Sequence, residues 1–311
     1  MIAIRAIGAY VPGGRESNFA KKQMFALDDE FIADKLGVHQ VSRKSAEEET
    51  SDLCVKAFLD LKTRLTHSVS EIDCVVVCTQ NPDGHGIPHT SAIVQGKLGL
   101  SDDCACFDLS LGCSGYVYGL SVMKSFMQVN DLSTGLFFTA DPYSKILDPQ
   151  DKNTVLLFGD AAAVTLLEPA ARPGAWVAPL FRFCTRGKDG GALENRNGAL
   201  RMNGRAVFNF SATDVPIQIR ALLQEAGLGV NDIDLFLLHQ GSKFIVDQLR
   251  KRLDVPSDRV PINLAGQGNT VSSSLPLLLR DYLDDPQLRR IVLSGFGVGL
   301  SWASCLLTRS T

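Results

Sequence analysis

The chain breaks into short apolar runs separated by turns rich in glycine, proline or polar residues, and the period of each run assigns its element. Residues 2–10 read as a strand closed by the Val11-Pro12-Gly13-Gly14 turn. Residues 18–36 read as a helix ending at Gly37, with Phe31 and Lys35 one turn apart on one face. Thr50 or Ser51 then caps a helix whose Leu53, Cys54, Ala57, Phe58 and Leu61 face inward. Continuous apolar runs predict buried strands at 72–78, 104–109, 135–140 and 233–238, a strand pair within 154–168, and further strands at 290–294 and 300–308. Helices are expected at 116–129, 208–226, 243–253 and 275–282, the last with Pro276 in its first turn. Lys124 is the only charge in the 116–129 run, so that helix belongs inside a large core. Residues 187–205 are polar and glycine-rich, with little periodicity.

One internal echo organises these elements. The segments opening Glu71-Ile72-Asp73 and Asp232-Ile233-Asp234 lie 161 residues apart, and each begins a strand–loop–helix unit. The interval is half the chain and predicts two duplicated α/β halves, 1–169 and 170–311, joined by a crossover at 169–174.

Composition adds exclusions. With 311 residues and 45% apolar content, the chain can bury one large core or two fused domains. A formal charge of −3 leaves no basic excess to neutralise phosphates, which excludes a nucleic-acid binder. No uncharged apolar run reaches the ~18 residues of a membrane span, and Met1 opens a strand rather than a signal peptide; both point to a soluble, cytoplasmic protein. Eight cysteines without a CxxC pair, and five histidines that do not cluster with them, read as structural thiols in a reducing compartment, with no metal site. The loop 79–90 holds two prolines, two glycines and two histidines and is a functional-loop candidate. Solvated side chains account for His85 and His89 better than a zinc site does.

The candidate chemistry starts at Gly112-Cys113-Ser114-Gly115, where the 104–109 strand meets the 116–129 helix. Glycines on both sides allow a sharp turn, and the positive end of the helix favours thiolate over thiol. Taken alone, Cys113 is as well explained as a small core residue. Two further glycine- or polar-rich loops are expected to follow buried strands and carry His239 and Asn269. Ligand-binding groups gather at the C-terminal ends of strands in open α/β sheets. Cysteine, histidine and asparagine in that order, each on such a loop, point to one site.

This order resembles the β-ketoacyl-acyl carrier protein synthase III family of the thiolase superfamily. The resemblance runs from Ile2 to Leu307. Its anchors are Asp29-Glu30-Phe31-Ile32 with Gly37, Gly112-Cys113-Ser114-Gly115, Asp148-Pro149 with Phe158-Gly159-Asp160, His239-Gln240, Gly268-Asn269-Thr270 and Gly295-Phe296-Gly297-Val298-Gly299. It implies a thiolase-like fold of two similar α/β halves in αβαβα layers, usually a homodimer. It also implies that Cys113 takes an acyl group from a coenzyme A thioester, which is a substrate rather than a cofactor. Malonyl-acyl carrier protein or malonyl-coenzyme A is then decarboxylated with His239 and Asn269 as donors to the enolate. The backbone N–H groups of Cys113 and Val298 would hold the oxyanion.

Several positions depart from the family pattern. Phe31 and Lys152 stand where the adenine is usually stacked between tryptophan and arginine, and Lys35 replaces another arginine. A lysine is a point charge rather than a flat fork, so the nucleotide grip should be weaker or differently arranged. Gly241 and Ser242 follow His239-Gln240, and Val298 replaces a frequent glycine. Ile87 resembles the loop residue that crosses a dimer to close the partner's acyl tunnel; being smaller than phenylalanine, it suggests a medium-chain primer. Lys243, Arg250, Lys251 and Arg252 offer a basic face for an acyl carrier protein, or simply a solvated helix face. Acyl transfer to an oxygen or nitrogen nucleophile, and a partner-subunit role in a heterodimeric synthase, are the alternatives. A complete Cys113, His239 and Asn269 set favours condensation over both.

Overall fold

In the computed structural model, which describes residues 1–65, 72–170 and 174–310, the alternating elements assemble as follows. The strands are β1 (Ile2–Tyr10), β2 (Gly14–Ser17), β3 (Gln40–Arg43), β4 (Cys74–Cys78), β5 (Ala105–Leu109), β6 (Gly135–Ala140), β7 (Ala162–Pro169), β8 (Trp176–Thr185), β9 (Leu193–Arg196), β10 (Ala199–Met202), β11 (Leu235–Leu238), β12 (Arg290–Gly297) and β13 (Ser301–Arg309). The helices are α1 (Lys22–Phe25), α2 (Thr50–Arg64), α3 (Thr90–Leu98), α4 (Gly115–Val129), α5 (Lys152–Val155), α6 (Gly204–Glu225), α7 (Lys243–Leu253) and α8 (Ser274–Leu279).

Nine strands are linked in the order β11-β12-β13-β8-β1-β7-β6-β4-β5, and β1 touches β8 through only Ala3–Val177 and Ile4–Trp176. Outward from that junction the two sides repeat each other. On one side β1-β7-β6-β4 pair antiparallel, antiparallel and parallel; on the other, β8-β13-β12-β11 do the same. The 161-residue echo falls on β4 and β11, which hold the same place in the two runs. Its first residue, Glu71, lies outside the described residues, as do 171–173 of the expected crossover.

Both faces of these strands are buried, which is why they read as unbroken apolar runs. Cys74, Val76 and Cys78 of β4 and Leu235 and Leu237 of β11 share one core with Tyr116, Leu120 and Met123 of α4 and Leu275, Leu278 and Leu279 of α8. The opposite face of β4 packs under Leu53, Cys54, Ala57 and Leu61 of α2, and that of β11 under α6 and α7. The layers therefore run helix, strand, helix, strand, helix, with α4 and α8 in the middle. This is the expected αβαβα arrangement.

Several boundaries differ from the periodic reading. Residues 18–36 are not one helix: α1 ends at Ala26, whose φ is +50°, and 31–36 form a π-helical turn closed by Gly37 N–H donating to Ile32 O at 2.9 Å. Neither Thr50 nor Ser51 caps α2. Glu49 holds the N-cap position, its backbone carbonyl accepting from Asp52 N–H at 3.1 Å while the Asp52 carboxylate accepts from Glu49 N–H at 2.9 Å. Within 154–168 only β7 is a strand, because Asp151 caps the short α5 by accepting from Asn153 N–H. The 104–109 strand is a half-buried sheet edge rather than a buried strand. The 187–205 region folds into a 3-10 turn and the β9–β10 hairpin, and β8 appears where no strand was expected.

Candidate active site

Cys113 follows the end of β5 and stands two residues before α4 begins. Its surroundings are tight: a β-carbon on Gly297 would lie 2.7 Å from Cys113 Sγ. One on Gly112 would meet Val298 Cγ1 at 2.6 Å and Gln80 Oε1 at 2.7 Å. Both positions require glycine for close approach, not for an unusual turn alone. The backbone N–H groups of Val298 and Cys113 both act on the Cys113 sulfur, and these are the two donors expected for an oxyanion. Val298 does so without a positive φ, so its branched side chain meets no backbone penalty there.

The resting sulfur is not the thiolate that the helix terminus suggested. Cys113 is only 3% exposed. Burial pushes its thiol up to about 12; the Val298 and Cys113 N–H groups oppose this and buried Asp141 adds to it. Desolvation outweighs the helix end.

His239 stands just beyond β11, where its N–H bonds to Ser294 O at 2.8 Å. The ring is buried, with Nδ1 2.7 Å from Ser274 Oγ and Phe296 edge-on at a centroid distance of 5.4 Å. Burial pushes its pKa down to about 3, against a smaller opposite effect of the Val271 carbonyl, so the imidazole is neutral. Asn269 is fixed on three sides. Its N–H donates to Leu157 O at 2.8 Å, its carbonyl accepts from Gly159 N–H at 2.9 Å, and its Oδ1 accepts from Val271 N–H at 2.9 Å. This leaves the Asn269 side-chain N–H groups as donors.

Cys113, His239 and Asn269 line one cavity of about 500 Å³. Phe31, Lys35 and Lys152 line it as well, so six of the sequence-derived residues meet in one place. The π-helical turn delivers Phe31 and Lys35, and α5 delivers Lys152. Sequence reasoning missed Arg205, Phe208 and Phe244, which line the same cavity from α6 and α7. Phe208 and Phe244 pack with ring centroids 5.0 Å apart. Lys35, Lys152 and Arg205 are exposed, and none forms an ion pair with a described residue. The signal for Arg205 was its place before an apolar helix, which the aperiodic reading of 187–205 concealed.

Other expected residues lie elsewhere. Ile87 is 94% exposed at the tip of the 79–90 loop and does not line this cavity. Lys243 pairs with Asp247 at 2.8 Å, and Arg250 donates to Val255 O; Lys251 and Arg252 are exposed on the last turn of α7. Among the described residues no group of three His, Cys, Asp or Glu side chains could hold a metal ion, and no helix is long and apolar enough to cross a membrane.

Known proteins share this fold. The 3-oxoacyl-(acyl-carrier-protein) synthase III profile matches residues 107–181, and that of its C-terminal region matches 223–309. A β-ketoacyl-(acyl-carrier-protein) synthase III from Levilactobacillus brevis is 34% identical, over 98% of this chain and 97% of its own. The crystal structure of 3-oxoacyl-(acyl carrier protein) synthase III from Pseudomonas aeruginosa superposes with a TM-score of 0.89 at 31% identity, covering 100% of this chain and 98% of that one. A priming β-ketosynthase from a polyketide pathway does so with a TM-score of 0.88 at 26% identity, covering 100% and 96%. With the fold, the cavity and one-third identity sustained from end to end, the chain belongs to the 3-oxoacyl-(acyl-carrier-protein) synthase III family of condensing enzymes.

Proposed function

We propose that this condensing enzyme acts through a Cys113 acyl-enzyme, loaded from an acyl-coenzyme A and extended with a malonyl unit carried by acyl carrier protein. The observation that carries the reading is the shared cavity of Cys113, His239 and Asn269, with the Asn269 amide left free to donate. In the first half-reaction the Cys113 sulfur attacks the thioester carbonyl and the coenzyme A thiol leaves, so the thiol proton is conserved in the exchange. The Val298 and Cys113 N–H groups receive the carbonyl oxygen as it becomes an oxyanion. In the second, the malonyl thioester loses CO2 and its enolate oxygen is stabilised by His239 and Asn269. The enolate carbon attacks the acyl-enzyme, the C–S bond to Cys113 breaks, the released thiolate takes up a proton from water to restore the thiol, and a β-ketoacyl thioester departs. Splitting the condensation this way replaces one hard step by two easier ones.

The chemistry uses no metal or bound cofactor. Lys35, Lys152 and Arg205 at the cavity mouth suit the phosphates of a coenzyme A donor, with Phe31 available to its base. Lys251 and Arg252 offer the remaining basic face for a carrier protein. The half-buried edge strand β5 and the exposed Ile87 loop support a homodimer in which that loop crosses to the partner. The test is intact-mass measurement after treatment with a panel of acyl-coenzyme A thioesters, followed by malonyl-acyl carrier protein. The expected result is one adduct on Cys113 that is consumed as β-ketoacyl product appears. An adduct confined to Cys54 or Cys184, or one that malonyl carrier never discharges, would refute it.

A further inference from the structure

Decarboxylation, as read above, needs an N–H rather than a lone pair on the side of His239 that meets the enolate, and the following inference rests on that reading. A neutral imidazole has one proton to place on two nitrogens. Nδ1 of His239 lies 2.7 Å from Ser274 Oγ, with His239 and Ser274 each 2% exposed. The Ser274 hydroxyl has no other hydrogen-bond partner among the described residues. If Nδ1 were the donor, the hydroxyl proton would be buried without an acceptor, which folded proteins avoid. If the hydroxyl donates instead, both groups are satisfied and the ring proton moves to Nε2. The Val271 backbone also acts on the ring, more weakly than burial does. Phe296, at 87° to the imidazole, packs against the ring.

We propose that Ser274 donates to Nδ1 of His239 and thereby keeps the ring proton on Nε2, making Ser274 a positioning residue for the decarboxylation step. Ser274 is the first residue of α8, whose Leu275, Leu278 and Leu279 are packed in the central core, so the hydroxyl is held by a rigid element. Its geometry depends on packing around α8 rather than on the substrate.

The test uses full-length protein labelled with 15N-histidine. The His239 resonances should report Nε2–H in the native enzyme near neutral pH. Ser274→Ala should shift them toward Nδ1–H, lower malonyl decarboxylation about a hundredfold and leave acylation of Cys113 unchanged. Ser274→Thr should restore both the tautomer and the rate. A native ring with its proton on Nδ1 overturns the proposal, as does a Ser274→Ala enzyme that keeps both Nε2–H and its decarboxylation rate. The native measurement decides even if Ser274→Ala folds poorly. Should the native enzyme fail to decarboxylate any malonyl thioester, the condensation reading falls, while the tautomer is still read by resonance.

Discussion

Asn269 Oδ1 accepts the backbone N–H of Val271 at 2.9 Å, across a turn in which Val271 itself takes a φ of +53°. A β-branched residue in that region stores strain of order 1–3 kcal/mol, so the side chain proposed as the enolate donor also holds its own turn in place. The two jobs separate by substitution. Asn269→Asp keeps an acceptor for Val271 but removes the donor and adds charge; Asn269→Ala removes both. Each should lower decarboxylation by roughly a hundredfold or more, the usual effect of losing one such donor. Acylation of Cys113 should persist in both, and both should lower the unfolding temperature, Asn269→Ala by freeing the turn and Asn269→Asp by burying a charge. If acylation collapses while decarboxylation survives, Asn269 has been given the wrong half-reaction.

The buried thiol makes a second prediction. With its pKa pushed up to about 12, Cys113 should react with iodoacetamide at a rate that climbs about tenfold per pH unit from 7 to 10 without levelling. An unfolded-chain cysteine levels near its pKa of about 8.5. Linkage has the same sign: the contribution of this group to stability is complete below about pH 8.5 and is lost as pH rises toward 12. Cys113→Ala should therefore lose less stability between pH 9 and 11 than the native protein does. An alkylation rate that plateaus below pH 8 would show a resting thiolate instead.

How much of this was legible depended on what each position had to satisfy. Strands buried on both faces, such as β4 and β11, announce themselves as unbroken apolar runs, and His239 was found on the polar loop after one of them; Cys113 follows the half-buried β5, and Asn269 follows no strand but makes an isolated bridge to Phe158. The π-helical turn over 31–36 was not legible as such, because its backbone hydrogen bonds leave no composition signature. β8 escaped because Ala178, Leu180 and Phe183 differ widely in burial along one strand, from 9% for Ala178 to 41% for Phe183. The state of Cys113 was misread because a helix end is visible in sequence, whereas the burial that outweighs it is a property of the whole core. Ser274 gave no signal, since one serine among Ser272, Ser273 and Ser274 looks like another until the chain is folded.

The unpaired cations make a third prediction. Lys35, Lys152 and Arg205 line the cavity mouth and form no ion pair with a described residue, so their charge is available to phosphates. Exposed charges act through screened attraction, which predicts a salt-dependent contribution to affinity rather than to the chemical step. Replacing each by alanine should raise KM for acyl-coenzyme A severalfold with kcat nearly unchanged, and the effect should shrink as ionic strength rises. Acyl-pantetheine, which lacks the nucleotide, should show no such change. A fall in kcat with KM unaltered would move these residues from binding into the chemistry.

The last prediction concerns the primer. Ile87 is 94% exposed in this chain and absent from the cavity that holds Cys113, so it can shape an acyl site only in another protomer. The root of its loop is fixed, with Ser51 N–H donating to Asp83 Oδ1 at 2.8 Å and Asn81 Nδ2 donating to Asp141 Oδ1 at 3.0 Å. A rigid root with an apolar, fully exposed tip is suited to insertion into a partner. If the isoleucine closes the partner's acyl tunnel, it leaves more depth than phenylalanine would. Each further buried methylene contributes ~0.8 kcal/mol, so four would favour a medium-chain primer over acetyl by about 3 kcal/mol, before losses of chain entropy reduce it. Octanoyl-coenzyme A should therefore acylate Cys113 faster than acetyl-coenzyme A, by up to about a hundredfold. Ile87→Phe should reverse that order without changing malonyl decarboxylation. Equal acylation by the two primers in the native protein would remove the deep tunnel, and an unchanged chain-length profile in Ile87→Phe would remove Ile87 from the acyl site.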